Sequence, residues 1–171
     1  MTVFDLLHRQ QRELDAMFDE LQLCADDDAW YLFQTVSTRW IAMMRAEHAT
    51  VYPHLAARDG DLHGELREAA RADEEIERGI NHARLAPLCP LEWREAVRDL
   101  RVRIADRATW EQYVLGPLAH LTMSPAELSW LARSYLTFQP VALTTAAASI
   151  TYDPAPPARA EPPTVAIPLA S

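Results

Sequence analysis

Four amphipathic stretches of this sequence each carry a polar residue where an apolar stripe should continue. His8 flanks the stripe of the first, and Glu47 lies on that of the second. Asp73 lies on the third, with Glu77 one turn later, and Arg107 and Glu111 lie on the fourth. Several carboxylates sharing one interior are costly unless a cation joins them. One candidate cation is a metal: His8, Glu47, Asp73, Glu77 and Glu111 form an oxygen-rich set suited to a single Fe or Mn. The other is Arg107, whose planar fork bridges two carboxylates. A third chemistry needs no metal. His8 would act as general base, Arg107 would hold the carboxylate or phosphate of a small anionic substrate, and a desolvated Glu would serve as acid. Fe or Mn, or no cofactor at all, stay open alternatives at this point.

These residues need a scaffold that turns them inward, and the spacing of apolar residues supplies one. Phe4, Leu7, Gln11, Leu14, Phe18 and Leu21 step by three and four, which predicts a helix from about Thr2 to Cys24. Thr2 and Asp5 suit a capping box at its start. Asp26-Asp27-Asp28 offers an N-cap for a second helix from about Ala29 to Ala57. Its stripe is Trp30, Phe33, Ser37, Trp40, Met43/Met44, Glu47, Val51 and Leu55, with Pro53 near its end. After the turn Asp59-Gly60-Asp61, a third helix runs from about Leu62 to Leu85 through Leu66, Ala69, Asp73, Ile76, Ile80 and Ala83. Pro87 and Pro90 bracket a connection to a fourth helix, from about Leu91 to Ala119. Its stripe is Trp93, Val97, Leu100, Ile104, Arg107, Glu111, Val114 and Leu118. Ser124-Pro125-Ala126-Glu127 starts a short fifth helix that should end near Phe138, before Pro140.

Four long amphipathic helices with short connections predict an all-α, up-down-up-down four-helix bundle over residues 1–138. Seven of the twelve prolines fall from Pro140 onward, so residues 139–171 read as a Pro/Ala-rich extended tail.

Composition narrows the function classes. The net charge of −9 argues against nucleic acid and against an anionic membrane surface as partner. No apolar run is long enough to span a bilayer, and the first residues lack a signal-peptide pattern, so the expectation is a cytoplasmic protein. There is no Lys, which removes Lys-based catalysis. Cys24 and Cys89 have no metal-ligand spacing and read as idle or buried thiols. No Gly-rich phosphate loop or Gly-x-Ser-x-Gly nucleophile context is present. His54, His63, His82 and His120 fall near helix ends, where solvation is the ordinary state. His48 follows Glu47 by one residue and so points about 100° away on the helix, where it can support a ligand but not be one.

The segment Met43-Met44-Arg45-Ala46-Glu47-His48-Ala49-Thr50-Val51-Tyr52-Pro53 resembles the hemerythrin HHE motif, His-x-x-x-Glu with a Pro six residues on. Arg107-Ala108-Thr109-Trp110-Glu111, with Pro117 six residues after Glu111, resembles its second copy. Leu6-Leu7-His8-Arg9-Gln10-Gln11 resembles the family's first His-bearing helix, and Asp73 stands where its third helix has a His. The likeness covers residues from about 3 to 138. It implies a four-helix bundle holding a non-haem di-iron centre that binds or activates oxygen. Glu47, Glu111 and His8 match that ligand set, but Met43, Asp73 and Arg107 replace the other three histidines. Asp can ligate iron; Met is a poor ligand and Arg is none. The expectation is therefore a degenerate site, in a binding or interaction module with an Arg–carboxylate core and a possible small-molecule ligand in the bundle core. An altered Fe- or Mn-binding protein and a metal-free enzyme are the alternatives.

Overall fold

The computed structural model describes residues 1–58, 60, 62–85 and 89–148. All its regular structure is helical: α1 (Val3–Leu23), α2 (Asp26–Arg58), α3 (Leu62–Leu85), α4 (Pro90–Trp110), a π-helical turn over Glu111–Leu115, α5 (Gly116–Thr122) and α6 (Pro125–Ala148). None of the helices among the described residues is long and apolar enough to cross a membrane. The capping residues do what their chemistry allows. Thr2 Oγ1 accepts from the Asp5 N–H while the Asp5 carboxylate accepts from the Thr2 N–H. Ser124 and Glu127 make the same reciprocal pair at the start of α6.

The stripes of α1, α2 and α3 face inward as their periods dictate. Phe4, Leu7, Leu14, Phe18 and Leu21 are buried, as are Trp30, Phe33, Ser37, Trp40, Val51 and Leu55 of α2. Leu62, Leu66, Ala69, Ile76, Ile80 and Ala83 bury the matching face of α3. Helix α2 packs against α1, α3 and α6, α3 packs against α4, and α4 touches α1. The start of α2 meets the start of α4 in an aromatic cluster. There Phe33 sets its ring edge-on to Trp93 at 5.5 Å between centroids, and Trp30 lies 5.9 Å from Trp93.

Two departures from the sequence expectation have physical causes. Helix α6 is not short: it passes through Pro140 to Ala148. Proline inside a helix forfeits one hydrogen bond and crowds the carbonyl one turn back, at a cost of about 3 kcal/mol. Against that, α6 lies along α2 in the most extensive helix contact of the described residues, burying Leu131, Tyr135, Ala142 and Ala146. The extended tail is thereby cut back at its start, and its remainder, residues 149–171, lies outside the described residues. Helix α2 runs through Pro53 to Arg58, as its expected span to about Ala57 requires.

The second departure is the π turn. At the ordinary helical period Val114 and Leu118 should face inward after Glu111. Instead Leu115 and Ala119 are buried, and Val114 and Leu118 are only half-buried. The turn closes on a bond from the Gly116 N–H to the Glu111 carbonyl, five residues back, so it holds more than four residues and moves the stripe on by one. Pro117 gives the reason for the widening, since it has no N–H for the Tyr113 carbonyl and its ring would press on it. Leu115→Ala should therefore cost about 2–4 kcal/mol of unfolding free energy in urea, and Val114→Ala under about 1.5 kcal/mol. Equal costs, or the reverse order, would contradict the shifted stripe.

Candidate functional site

Glu47 on α2, Asp73 on α3, and Arg107 and Glu111 on the α4–π segment meet in the interior. Each lies on the stripe of its own helix, so packing the apolar stripes together also packs these four side chains together. All four are at most 5% exposed. The Arg107 guanidinium is the hub. Its Nε donates to Asp73 Oδ1 at 3.0 Å, its Nη1 to Glu111 Oε2 at 3.3 Å and its Nη2 to Glu47 Oε2 at 2.9 Å. Nη2 also donates to the Tyr52 hydroxyl. That hydroxyl in turn donates to Asp73 Oδ2 at 3.3 Å. The guanidinium stacks near two rings, 5.0 Å from the Trp110 centroid and 5.8 Å from that of Tyr52.

Two further side chains extend the network to the surface on opposite sides. His48 Nε2 bonds Asp73 Oδ2 at 2.8 Å, and its ring lies 4.7 Å from that of Tyr52, one turn on. Gln11 of α1 donates from Nε2 to Glu111 Oε2 at 3.0 Å. A chain of hydrogen bonds thus runs His48–Asp73–Arg107–Glu111–Gln11 across the interior.

One guanidinium cannot neutralise three buried carboxylates, so protons must make up the difference. Burial pushes the Glu47 carboxyl well above the usual range; the neighbouring Glu111 and Asp73 charges add to this and Arg107 opposes it. Glu111 is raised to about 7, chiefly by burial, with Arg107 and Gln11 holding it down. Its Oε2 already accepts from two donors, so the proton belongs on Oε1, which is buried without a partner among the described residues. Burial also raises the Tyr52 hydroxyl well above its ordinary value, so it stays a phenol. For Arg107 burial works towards losing the proton, but Glu47, Tyr52, Asp73 and Glu111 overcome it and hold the cation charged.

Of the residues with candidate chemistry, Glu47, Asp73, Arg107 and Glu111 come together and two do not. Glu77 is half-exposed and pairs with Arg45 of α2 at 3.1 Å rather than with Arg107. The single turn between Asp73 and Glu77 carries it off the buried face. His8 makes none of the cluster's hydrogen bonds. It lines a groove between α1 and α4, its Nε2 is buried without a partner among the described residues, and burial and Arg12 lower its pKa. Gln11, one turn later and on the stripe proper, takes the place expected for His8. Trp40 is plain core, and Met43 and Met44 are buried at the walls of two other grooves. Cys24 and Cys89 are free thiols, one partly buried and one exposed. Sequence reasoning missed the roles of Tyr52 and Gln11. Gln11 was visible as a polar residue on an apolar stripe; Tyr52, off the Glu47 face, was not.

The donor set does not fit a di-iron centre. The three carboxylates converge on a guanidinium, and no cluster of His, Cys, Asp or Glu suited to a metal ion occurs among the described residues. No protein-family model, curated protein or solved structure matches the chain. The site is therefore read from its own geometry.

Two outcomes test that geometry. Glu111 is raised in the folded chain, so folding binds its proton more tightly. Its contribution is present below pH ~4.5 and lost as pH rises through about 7. Glu111 alone should lower stability in urea across that window by roughly 3 kcal/mol at most, and Glu111→Gln should flatten the slope. A wild-type stability that climbs from pH 5 to 8 would refute the assignment. Removing the cation with Arg107→Leu strands three buried carboxylates and should cost about 3–5 kcal/mol at neutral pH, part of it recovered on acidification.

Proposed function

We propose that this chain is a hemerythrin-like, up-down-up-down four-helix bundle in which the Arg107 guanidinium stands in for the metal centre, and that it serves as a ligand-binding module rather than as an oxygen carrier. One observation carries the reading: Arg107, 3% exposed in its side chain, bridges Glu47, Asp73 and Glu111 from three different helices. A buried cation already supplied by the chain removes the electrostatic reason for those carboxylates to bind Fe or Mn. It also repels a second cation from the same space. The His-x-x-x-Glu-like spacing around Glu47 and Glu111, each followed by proline six residues on, supports the bundle assignment. Four helices packing in the cycle α1–α2–α3–α4 fit it as well.

The geometry weighs against the alternatives. An altered Fe or Mn site drawing on His8, Glu47, Asp73, Glu77 and Glu111 lacks His8 and Glu77 in the cluster. A metal-free enzyme that holds an anion on Arg107 needs a free guanidinium edge. Here Nε, Nη1 and Nη2 all donate to groups of the chain itself. Any ligand is therefore received at the grooves around the core rather than in it.

Metal analysis decides the central claim. Protein made in iron- or manganese-supplemented medium and then dialysed should carry no stoichiometric metal. It should show no charge-transfer absorption in the visible range. One Fe or Mn per chain, lost on Glu47→Ala, would overturn the reading.

A further inference from the structure

His48 sits where the core network reaches the surface. It lines a cavity of about 460 Å³ between α2, α3 and α6, bounded by Met44, Ala49, Phe138, Val141 and Ala142 on its apolar side. The polar side holds Asp73, Glu74 and Glu77 against one guanidinium, that of Arg45. Arg45 is already spent on Glu77 Oε1, and Asp73 on Arg107, Tyr52 and His48. Glu74 and Glu77 line the same space. Other grooves differ in charge. The one between α1, α2 and α6 sets Glu13 against Arg39, and that between α1 and α4 sets Asp15 against Arg12 and Arg101.

The His48 ring adds direction. Nε2 faces the Asp73 carboxylate, which only accepts, so Nε2 carries a hydrogen and donates it there. The ring is held by the Tyr52 stack and by an Asp73 that Arg107 fixes in place. An excess of carboxylate facing an apolar wall calls for a ligand with N–H donors, positive charge and a hydrocarbon part.

We infer that the groove between α2, α3 and α6 is a binding site for a small alkylammonium ligand, with its ammonium among His48, Glu74 and Glu77 and its chain against Met44, Phe138 and Val141. The claim names the ligand class of the binding module proposed above, and so rests on Arg107 being the resident cation of the core. The Arg45–Glu77 pair forms one edge of the site and fixes that carboxylate in place.

Titration calorimetry on the full chain with hexylammonium, hexanoate and hexanol tests it at neutral pH. Hexylammonium should bind one to one, and the other two should not bind measurably. Glu74 is exposed and carries no packing, so Glu74→Gln should fold normally and weaken binding several-fold. Glu74→Gln with Glu77→Gln should weaken it about tenfold or more, the scale of one lost charge-assisted hydrogen bond. Ala49→Trp, at an exposed position on the groove wall, should block it. Hexanoate or hexanol binding as well as hexylammonium would overturn the site, as would undiminished binding to Ala49→Trp. Absence of hexylammonium binding would overturn it too. Metal content measured on the same sample separates the two claims. A metal-bearing chain ends the reading of the core, whereas a metal-free chain that ignores hexylammonium ends only this one.

Discussion

Three carboxylates in one dry interior can be tolerated only if something positive sits among them and some of them keep their protons. This fold meets both conditions with a single residue and two titrations. Arg107 supplies one delocalised charge whose fork reaches three helices at once. Glu47 and Glu111 hold protons at pH values where exposed carboxyls would have lost them. The alternative of apolar residues at all four positions would pack at least as well, since buried ion pairs seldom add net stability over hydrophobic neighbours. What the cluster adds is register. The guanidinium finds its partners only when α2, α3 and α4 sit at one mutual height, so a helix slipped by a turn would leave a charge unpaired.

The π turn belongs to the same constraint. Glu111 stands at its first position, and the turn ends just before Gly116 and Pro117. Proline at 117 makes an ordinary α-turn unfavourable there, and the widened turn absorbs it where the Glu111 side chain must point inward. Gly116 keeps the turn close to its neighbours. A Cβ there would lie 3.3 Å from the Glu111 carbonyl oxygen and 3.7 Å from the Phe4 ring. The stripe after the turn is consequently led by Leu115 and Ala119. The local widening of the backbone thus begins at Glu111 and changes the burial of the residues after it, not that of Glu111 itself.

The all-helical class, the stripes of α1 to α3 and the four polar positions of the core were legible from the spacing of apolar residues. Burial follows a helical period closely when no proline or extra residue intervenes. The same rule failed after Glu111, because it assumes a fixed number of residues per turn and the chain changes that number. It also stopped α6 at Pro140. Proline's local cost is readable from sequence, but the α2 contact that outweighs it is a property of the packed molecule. His8 was placed in the core because histidine attracts attention as a ligand, whereas the plain geometry of the stripe pointed to Gln11. Tyr52 was not legible: it is five residues from Glu47 and joins the site only because α3 and α4 bring Asp73 and Arg107 alongside it.

The network also joins features that would otherwise be separate. Asp73 faces inward to Arg107 through one oxygen and outward to His48 through the other. Glu111 instead receives both Arg107 and Gln11 on its single Oε2, and the groove that Gln11 lines opens between α1 and α4. Polar chains of this kind stiffen when every member is satisfied and soften when one loses its partner.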